Sequence, residues 1–461
     1  MGHGSWVTFT SSISVQNTPP ITRDCISFWY LEDIARLGGS LLMETVEDIV
    51  IVGAGIAGLT TALGLHRLGL RSLVLESSKG LRVTGFALAT WTNAWKALDA
   101  IGVGDTLREN HLQLKGIIAY SAISGLPTSK VSFEVKGRHG DHEIRCVRRQ
   151  DLLEALAREL PDGTIRFSSK VVSIDETNYF KLVHLADGST IKTKVLIGCD
   201  GINSVVAKWL GLSKPKFTGR LGIRGLAKFP DGHNFEQKVL QFFGDGFRSG
   251  FVPCDQNTMY WFFAYTPFAL RAPIKNDDLN EEDPSKLKQF VLQNLGNVPK
   301  EIVGVVEQTN LDSIVSAPLK FRSLLNVLWP GAIYKGNVCV AGDALHPMTP
   351  DIGQGGCAAL EDGIVLARHL SQAFLRQQTE KRVTEEKEYI GIKKGLKKFA
   401  EERKWRSFEL MATSYMVGRM QQSSGKIINF FRDKVLPSFL AGLLLKRADF
   451  DCGNLISSQS Y

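Results

Sequence analysis

Apolar runs separated by glycine- or proline-containing breaks recur along most of the chain and divide it into predicted strands and helices. The first strong run, Ile49–Val52, is continuous rather than alternating, which is typical of a strand buried on both faces. From Ile56 to Leu68 the apolar positions follow helical spacing, and Gly69 is a natural stop for that helix. A second short strand, Ser72–Leu75, completes a strand–helix–strand unit.

The segment that follows this unit continues in a mixed pattern. Helices are predicted over Ala94–Ala100 and Asp151–Leu160, with Asp151 as the N-cap of the second. Strands are predicted over Ile117–Ala122, Glu143–Arg148, Ile165–Ile174, Phe180–Leu185 and Lys192–Ile197, the last two joined as a hairpin.

From about Lys214 to Leu319 the strands become closely spaced and rich in aromatic residues. They are predicted over Leu221–Phe229, Lys238–Phe243, Phe247–Pro253 and Thr258–Tyr265. This pattern indicates a mostly antiparallel sheet inserted between two parts of the preceding domain. Its aromatic side chains are expected either to cover a flat substrate or simply to form the core of the sheet.

The remaining chain returns to the first pattern and then becomes helical. A short strand, Asn337–Ala341, leads into a glycine-rich segment and a helix from about Gly355 to Leu370. The charged stretch Thr379–Arg406 reads as a helix with a solvated face. We expect the apolar stretch Asn429–Lys446 to cap the core, with a dimer contact or a membrane surface as the alternatives.

Composition is that of an ordinary globular protein with two or three domains, with 44% hydrophobic and 22% charged residues in a chain of 461. The net charge of +8 is scattered rather than clustered, which favours general attraction to anions over nucleic-acid binding. No apolar run approaches the ~20 residues of a membrane span. Seven cysteines without a CxxC pair indicate reduced, buried thiols, and His139 and His142 have no further ligands that would make a metal site.

The first 42 residues differ from the rest. They are rich in Ser and Thr and have no acidic residue before Asp24. This composition indicates a disordered extension of a cytoplasmic protein, with a plastid transit segment as the alternative. We therefore divide the chain into an extension (1–42), a nucleotide domain in two parts (43–213 and 326–375), an inserted substrate domain (214–325) and a C-terminal helical region (376–461).

The first strand–helix–strand unit contains three glycines in GxGxxG spacing, Gly53, Gly55 and Gly58. They allow a tight turn, close approach of backbone to a pyrophosphate, and close packing of the helix on the strand. Glu76 ends the second strand about twenty residues later, where a carboxylate can bind the hydroxyls of an adenosine ribose. The pattern predicts a dinucleotide site, leaves FAD and NAD open, and disfavours NADP there.

A second glycine-rich segment, Gly342–Gly356, has a different design. Asp343 follows directly on a strand end and can accept hydrogen bonds from polyol hydroxyls. Gly353, Gly355 and Gly356 permit backbone to lie against a flat ring, at the positive end of the following helix. Such a site suits a reduced flavin, which carries negative charge at one edge.

Taken in order, the motifs GAGIAG, the DG pair in GCDGINSVVAKWLG, and GDALHPMTPDIGQGG resemble the class A flavin-dependent aromatic hydroxylases, the para-hydroxybenzoate hydroxylase-like group. Within it, the chain is similar to plant FAD monooxygenases related to salicylate hydroxylase and zeaxanthin epoxidase. The resemblance covers residues 47–370. It implies an α/β fold in which a Rossmann-type FAD-binding domain carries an inserted, mostly antiparallel sheet and a C-terminal helical region.

The resemblance also implies roles for individual residues. The cofactor-binding set is Gly53, Gly55, Ile56, Ala57, Gly58, Glu76, Arg149, Asp200, Gly201, Asp343, Pro347, Gly353, Gln354, Gly355 and Gly356. Within this set Asp200 and Gly201 would serve both FAD and NAD(P)H. The family often has an Arg seven residues after the DG aspartate, whereas this chain has Ala207.

The implied reaction is reduction of the flavin by NADPH or NADH, formation of a C4a-hydroperoxide with O2, and transfer of one oxygen atom to a small organic substrate, aromatic or polycyclic. Candidate substrate residues are Arg224, Tyr260 and Phe262 on the inserted sheet. Arg224 would meet a carboxylate or be an ordinary edge-strand charge. The pattern identifies no catalytic base, and His346 is expected to be a structural loop residue. Alternatives are an FAD reductase or dehydrogenase, a non-catalytic flavoprotein, and a plain NAD dehydrogenase, which would leave Gly342–Gly356 without a role.

Overall fold

The computed structural model describes residues 46–82, 85–270, 283–378, 384–421 and 436–455, together with Met1. The expected extension at 1–42 lies, apart from Met1, outside the described residues. So do the beginnings of the two C-terminal stretches, residues 379–383 and 429–435.

Nineteen strands are present in this part of the chain. In order they are β1 Val46–Val52, β2 Leu73–Leu75, β3 Ala87–Thr90, β4 Gly116–Ser121, β5 Pro127–Ser132, β6 Lys136–Gly137, β7 Gly140–Asp141, β8 Arg145–Arg148, β9 Ile165–Arg166, β10 Val171–Thr177, β11 Phe180–Leu185, β12 Thr190–Gly198, β13 Lys216–Lys228, β14 Lys238–Phe243, β15 Phe247–Pro253, β16 Thr258–Tyr265, β17 Ile314–Phe321, β18 Tyr334–Lys335 and β19 Val338–Val340.

The same described residues contain eleven α-helices. In order they are α1 Ile56–Arg67, α2 Thr92–Ala100, α3 Gly104–Glu109, α4 Arg149–Arg158, α5 Val205–Trp209, α6 Pro284–Asn294, α7 Lys300–Gln308, α8 Leu324–Leu328, α9 Gly355–Gln378, α10 Glu385–Gln421 and α11 Leu436–Ala448. None of these helices is both long and apolar enough to cross a membrane.

The first sheet runs in the order β10-β11-β12-β1-β2-β9, with β19 also paired to β12 and β18 paired to β19. Strand β1 is parallel to both neighbours, and its residues Ile49–Val52 are buried, which confirms the strand predicted from their continuous apolar run. Helix α9 packs on α1 at close range. A Cβ on Gly64 would lie 2.8 Å from Ala367 Cβ, and one on Gly363 would lie 2.6 Å from Thr60 Cγ2. Small residues therefore let the helix after the second glycine-rich segment approach the helix after the first.

The second sheet runs in the order β17-β13-β16-β15-β14-β4-β5 and is antiparallel except for the pair β14–β4. Two of its strands, β4 and β5, come from residues before 214, so the sheet is larger than the 214–325 segment alone. Alternation along β13 and β16 separates its two faces. Ile223, Trp261 and Phe263 are fully buried in a core with α6 and α7, whereas Arg224 and Phe262 point to the other face.

Two local predictions were wrong. Asp151 is not an N-cap, because α4 begins at Arg149 and the Asp151 carboxylate instead accepts a hydrogen bond of 2.7 Å from Arg148 Nε. The predicted strand Ile165–Ile174 is two strands, β9 and β10, because the chain turns at Ser168, whose φ is +55°. Turning the chain there lets β9 pair with β2 while β10 pairs with β11.

The C-terminal region confirms a helix over the described part of the charged stretch. Its face is not fully solvated, however, because Arg403 and Arg406 are buried beside the apolar residues Leu396 and Phe399. Within α11, Leu444 and Leu445 pack against the main core, as a capping segment would.

Candidate active site

The turn between β1 and α1 is fixed by its glycines. Gly53 has φ +102°, and its N–H donates to Leu75 O at 2.7 Å. A Cβ on Gly58 would lie 1.9 Å from Gly53 O, so no larger residue fits there. A Cβ on Gly55, in contrast, would meet nothing within 4 Å. Because α1 begins at the next residue, Ile56, and has no acid in its first turn, its positive end faces open space suited to a phosphate.

Glu76 is held rigidly at the end of β2. Its side chain is 8% exposed, and Oε2 accepts the Ala54 N–H at 2.9 Å. Oε1 accepts the Ser78 N–H at 2.8 Å. Ser77 Oγ also donates to Oε1 at 3.2 Å, so Oε2 is the oxygen that keeps acceptor capacity for a hydrogen bond from a ribose, and the carboxylate is oriented for it.

The DG pair lies directly after β12 and packs against the first turn, since a Cβ on Gly53 would lie 3.0 Å from Asp200 Cα. Asp200 accepts hydrogen bonds from Ser204 Oγ at 2.5 Å and from Val205 N at 2.7 Å. Burial raises the pKa of Asp200, and these hydrogen bonds partly oppose the shift. The carboxylate thus organises the start of α5, and neither Asp200 nor Gly201 is part of the cavity lining.

Asp343 occupies the middle of a single 3-10 turn, Gly342–Ala344, after β19. Its side chain is exposed and faces a cavity of about 310 Å³. A Cβ on Gly342 would lie 2.8 Å from Ala57 Cβ, so the turn sits against the first turn of α1. The structure therefore places the GD turn beside the GxGxxG turn, although they are almost 300 residues apart.

A buried ionic cluster supports this turn from below. Asp362 accepts hydrogen bonds from Gly342 N at 2.7 Å, His346 Nε2 at 2.7 Å and Arg403 Nε at 2.6 Å. Glu361 pairs with Arg403 at 2.7 Å and Arg406 at 2.8 Å. Although burial alone would raise their pKa values, the cationic partners hold those of Glu361 and Asp362 at about 2.

His346 belongs to this cluster and not to the cavity. It is fully buried, and Asp362 raises its pKa against the opposing effect of burial. Its position agrees with the expectation of a structural loop histidine. The cluster also joins α9 to α10, so the last part of the chain holds the GD turn in place.

Arg322 also supports the GD turn. The sequence analysis did not identify it, because no motif surrounds it. It follows β17 and is 2% exposed, and its Nη1 donates to Ala344 O at 2.5 Å. Burial lowers its pKa to about 10, while Asp200 and Asp343 act in the opposite direction. Its buried Nε has no hydrogen-bond partner among the described residues, which leaves one donor available beside the two aspartates.

The loop from Pro347 to Gly356 forms one side of the cavity, which we call the loop wall. Gly353 has φ +62°, and it lies with Gly355 and Gly356 on the cavity surface. Pro347 and Gln354 do not line the cavity. Pro347 O accepts the Arg322 N–H at 3.2 Å, and Gln354 Oε1 accepts from Asn93 Nδ2 at 2.8 Å, so both residues shape the loop from behind.

The opposite side, which we call the sheet wall, is the cavity face of β13, β15 and β16. All three candidate substrate residues, Arg224, Tyr260 and Phe262, lie on it. Tyr260 is half-buried, and desolvation raises the pKa of its phenol to about 12. Arg149 is half-buried at the edge of the same cavity, within electrostatic reach of Asp343 and Arg224, and burial lowers its pKa.

An ion triad joins the two walls. Asp351 of the loop wall accepts hydrogen bonds from Arg220 Nη1 at 3.0 Å and Nη2 at 2.8 Å. Arg248 lies 3.6 Å from the same carboxylate, and its guanidinium stacks 5.0 Å from the Phe262 ring centroid. Sequence reasoning missed Asp351 and Arg248. The alternation of β15 was the available signal, because Arg248, Gly250 and Val252 share one face.

These residues fit FAD. The open space at Gly55 and α1 suits the pyrophosphate, and the buried Glu76 carboxylate suits the adenosine ribose. The exposed Asp343 lies between this region and the loop wall. Trp91 Nε1 is buried near Gly353 without a partner among the described residues, a second donor available at the site.

Comparison with known proteins agrees with this geometry. A family model described as an FAD binding domain matches residues 47–297. The chain is 54% identical over 418 residues to Monooxygenase 2 of Arabidopsis thaliana, covering 90% of this chain and 99% of that one. It is 35% identical over 415 residues to Monooxygenase 1 of the same plant, covering 90% of this chain and 100% of that one.

Solved structures show the same fold. Klebsiella pneumoniae HpxO, crystallised with FAD and uric acid, superposes with a TM-score of 0.73 at 21% identity, over 90% of this chain and 100% of that chain. The resemblance to class A flavin enzymes and the predicted α/β fold are thereby confirmed. This protein belongs to the FAD-dependent monooxygenases of the FAD binding domain family.

Proposed function

We propose that this monooxygenase uses NADPH or NADH and O2 to insert one oxygen atom into a small aromatic or polycyclic substrate held between the loop wall and the sheet wall. The observation that carries the proposal is the cavity itself, which brings Asp343 and Gly353 of the cofactor side opposite Arg224 and Phe262. When bound, FAD would supply the redox and oxygen chemistry, through the C4a-hydroperoxide that the family resemblance implies.

The protein's first task is to hold the cofactor. In this proposal the N-terminus of α1 holds the pyrophosphate and Glu76 binds the adenosine ribose. Asp343 binds the ribitol chain, and the glycines of the loop wall carry the ring. Arg322 keeps Asp343 and the DG turn at a fixed distance by its charge and by its hydrogen bond to Ala344 O.

The second task is to orient the substrate. A flat molecule can lie against Phe262 while Arg224 attracts an acidic or anionic group on it. Arg248 is less suited to that role because its guanidinium is already engaged, 3.6 Å from Asp351 and stacked on the Phe262 ring. Since its pKa is about 12, the Tyr260 phenol stays protonated at neutral pH and donates a hydrogen bond rather than accepting a proton.

The third task is to exclude water from the reacting atoms, which strengthens the electrostatic interactions there. Apolar residues line the cavity on several sides. They include Ile56, Leu88, Ile117, Phe133, Val239 and Val252. No histidine is part of the cavity lining among the described residues. The substrate's own acidity, assisted by Arg224, would then replace a histidine base in any proton removal.

The test is anaerobic mixing of the purified FAD-loaded protein with NADPH, and separately with NADH, while the visible flavin band is followed. Bleaching that reverses in air, with O2 consumed in proportion to hydroxylated product, supports the proposal. Bleaching without proportional O2 uptake would identify a reductase or dehydrogenase. A flavin that is never reduced by either nucleotide would indicate a non-catalytic flavoprotein.

A further inference from the structure

Two of the buried cysteines touch each other. All six described cysteines are buried and free of disulfides, as expected from their spacing; Cys25 lies outside the described residues. Cys254 Sγ lies 3.4 Å from Cys146 Sγ. Cys357, by comparison, contacts the backbone carbonyls of Ala89 and Gly353.

The Cys146–Cys254 pair sits where the two parts of the molecule meet at the cavity. Cys146 is in β8, opposite Ala89 of β3, and both residues line the cavity. Cys254 directly follows β15 of the second sheet, two residues after Val252, which pairs with Tyr260. The contact therefore connects a strand beside the cofactor turns to the sheet that carries the candidate substrate residues.

We propose that Cys146 and Cys254 are a peroxide-sensitive dithiol that closes to a disulfide and reshapes the cavity wall. The oxidant is hydrogen peroxide. In the first step, the sulfur of Cys146, a residue of the cavity lining, attacks one oxygen of the peroxide and the O–O bond breaks, giving a sulfenic acid and one water. In the second step, the Cys254 thiol attacks that sulfur, the S–O bond breaks, and a second water leaves. The two sulfurs lose two electrons together, and the peroxide gains them.

The buried surroundings of Cys146 make its reaction with peroxide slow at low peroxide concentration. Burial raises the pKa of Cys146 well above its ordinary value, so little thiolate is present at neutral pH and weak oxidants act slowly. A monooxygenase that reduces O2 without transferring an oxygen atom releases hydrogen peroxide within the cavity itself. This source rests on the proposed function, whereas the reactivity of the dithiol toward added peroxide does not.

Closure has a geometric consequence. A disulfide has an S–S length of about 2.05 Å, so the sulfurs must approach from their present 3.4 Å separation. The movement pulls β8 and the end of β15 together beside Tyr260. We expect a several-fold rise in the KM for substrate with a smaller change in kcat, reversed by a thiol reductant.

The first experiment treats the full-length protein with increasing hydrogen peroxide, quenches it with acid, and maps cysteines by alkylation before and after reduction. The expected result is a cross-linked Cys146–Cys254 peptide that forms while Cys199 and Cys339 stay reduced. Oxidation of the half-exposed Met416 reports the peroxide dose. If Cys146 and Cys254 remain fully alkylatable at a dose that oxidises Met416, the proposal is wrong.

Variants separate the two steps. Cys254→Ser should stop cross-linking and leave a sulfenic acid on Cys146 that dimedone traps. Cys339→Ser, which removes a fully buried thiol outside the pair, is the matched control and should cross-link like the unmodified protein. Absence of a dimedone adduct on Cys146 in the Cys254→Ser protein would contradict the assignment of Cys146 as the first thiol attacked.

In a last experiment the FAD-loaded protein is incubated with NADPH in air, without added peroxide, in the presence and in the absence of catalase. Cross-linking that catalase only partly suppresses supports peroxide generated inside the cavity. Cross-linking by added peroxide but not during NADPH oxidation would refute that internal source. If the protein oxidises neither NADPH nor, in a parallel sample, NADH, the proposed function is refuted instead, and the first experiment still decides whether the dithiol closes.

Discussion

On the loop wall the chain presents mainly backbone to the cavity, at Gly353, Gly355 and Gly356, whereas on the sheet wall it presents the side chains of Arg224, Tyr260 and Phe262. The loop wall is braced from behind by buried charges, and the sheet wall by an apolar core. Backbone contacts suit a cofactor that never changes, and side-chain contacts can be altered singly to suit a different substrate. Changes behind the loop wall should therefore affect stability and flavin together, and changes on the sheet wall should affect only turnover.

The largest effect is expected from Arg403→Met, which leaves Glu361 and Asp362 buried with one cation fewer. Breaking a buried ion pair from one side typically costs about 3–5 kcal/mol of unfolding free energy. Urea unfolding monitored by circular dichroism measures the loss. Lys394→Met, at an exposed position of the same helix, is the control and should change stability by about 0.5 kcal/mol or less. Equal stability of the two variants would mean that the cluster does not stabilise the fold around the GD turn.

Asp343→Ala should lose most bound FAD while the fold survives, because the exposed carboxylate supports no other part of the structure that we describe. The ratio of flavin to protein absorbance after gel filtration gives the loss, and circular dichroism checks the fold. Asp245→Ala, at an exposed turn of the second sheet, should keep its flavin. Full flavin content in the Asp343→Ala protein would remove this residue from the cofactor site.

Arg224→Gln tests the sheet wall alone. Loss of a hydrogen bond to a charged group is worth about 1.5–3 kcal/mol, or roughly 10- to 150-fold in kcat/KM for an anionic aromatic substrate. Flavin content should not change. Lys228→Gln, exposed on the same strand, serves as the comparison. An Arg224→Gln enzyme with unchanged kcat/KM would show that this guanidinium does not meet the substrate.

The smallest effect should come from His346, and it should depend on pH. The pKa of His346 is raised in the folded protein, so its pairing with Asp362 contributes fully below the unfolded value of about 6.5 and is lost as pH rises through the folded pKa. The stability difference between the unmodified protein and His346→Gln should therefore shrink with rising pH, by about 1.4 kcal/mol for each unit of pKa elevation. Unfolding curves at several pH values, with exposed His66→Gln as control, measure it. A difference that grows with pH would contradict the pairing.

The contrast between the walls also explains what the sequence could predict. The glycine motifs were predictive because a tight turn or a close approach permits one residue type, as at Gly53 and Gly58. The aromatic strands left two readings open, and only their register shows that Trp261 and Phe263 face the core while Tyr260 and Phe262 face the cavity. The phase of an alternation is visible in the sequence, but which phase faces the cavity is set by strand pairing.

Long-range charge pairs were beyond sequence reasoning for a different reason. Arg220 and Asp351 are 131 positions apart, and Arg403 and Asp362 are 41 apart on separate helices. Each of these charged residues, taken alone, is typical of a solvated surface. Its burial is energetically tolerable only because an oppositely charged side chain lies beside it. For this reason the sequence analysis predicted a solvated face for the charged C-terminal helix, α10, and did not predict that Arg403 and Arg406 are buried.

The place of Arg403 in the chain bears on how the protein is made. During synthesis the GxGxxG turn, the DG turn and the GD turn all leave the ribosome before α10 does, yet Glu361 and Asp362 have their cations only once that helix has emerged. We therefore expect a nascent chain to capture FAD stably only at the last stage of translation. Ribosome-bound chains ending before residue 400 should retain less flavin than the complete chain, and premature stop codons late in the reading frame should yield a colourless protein.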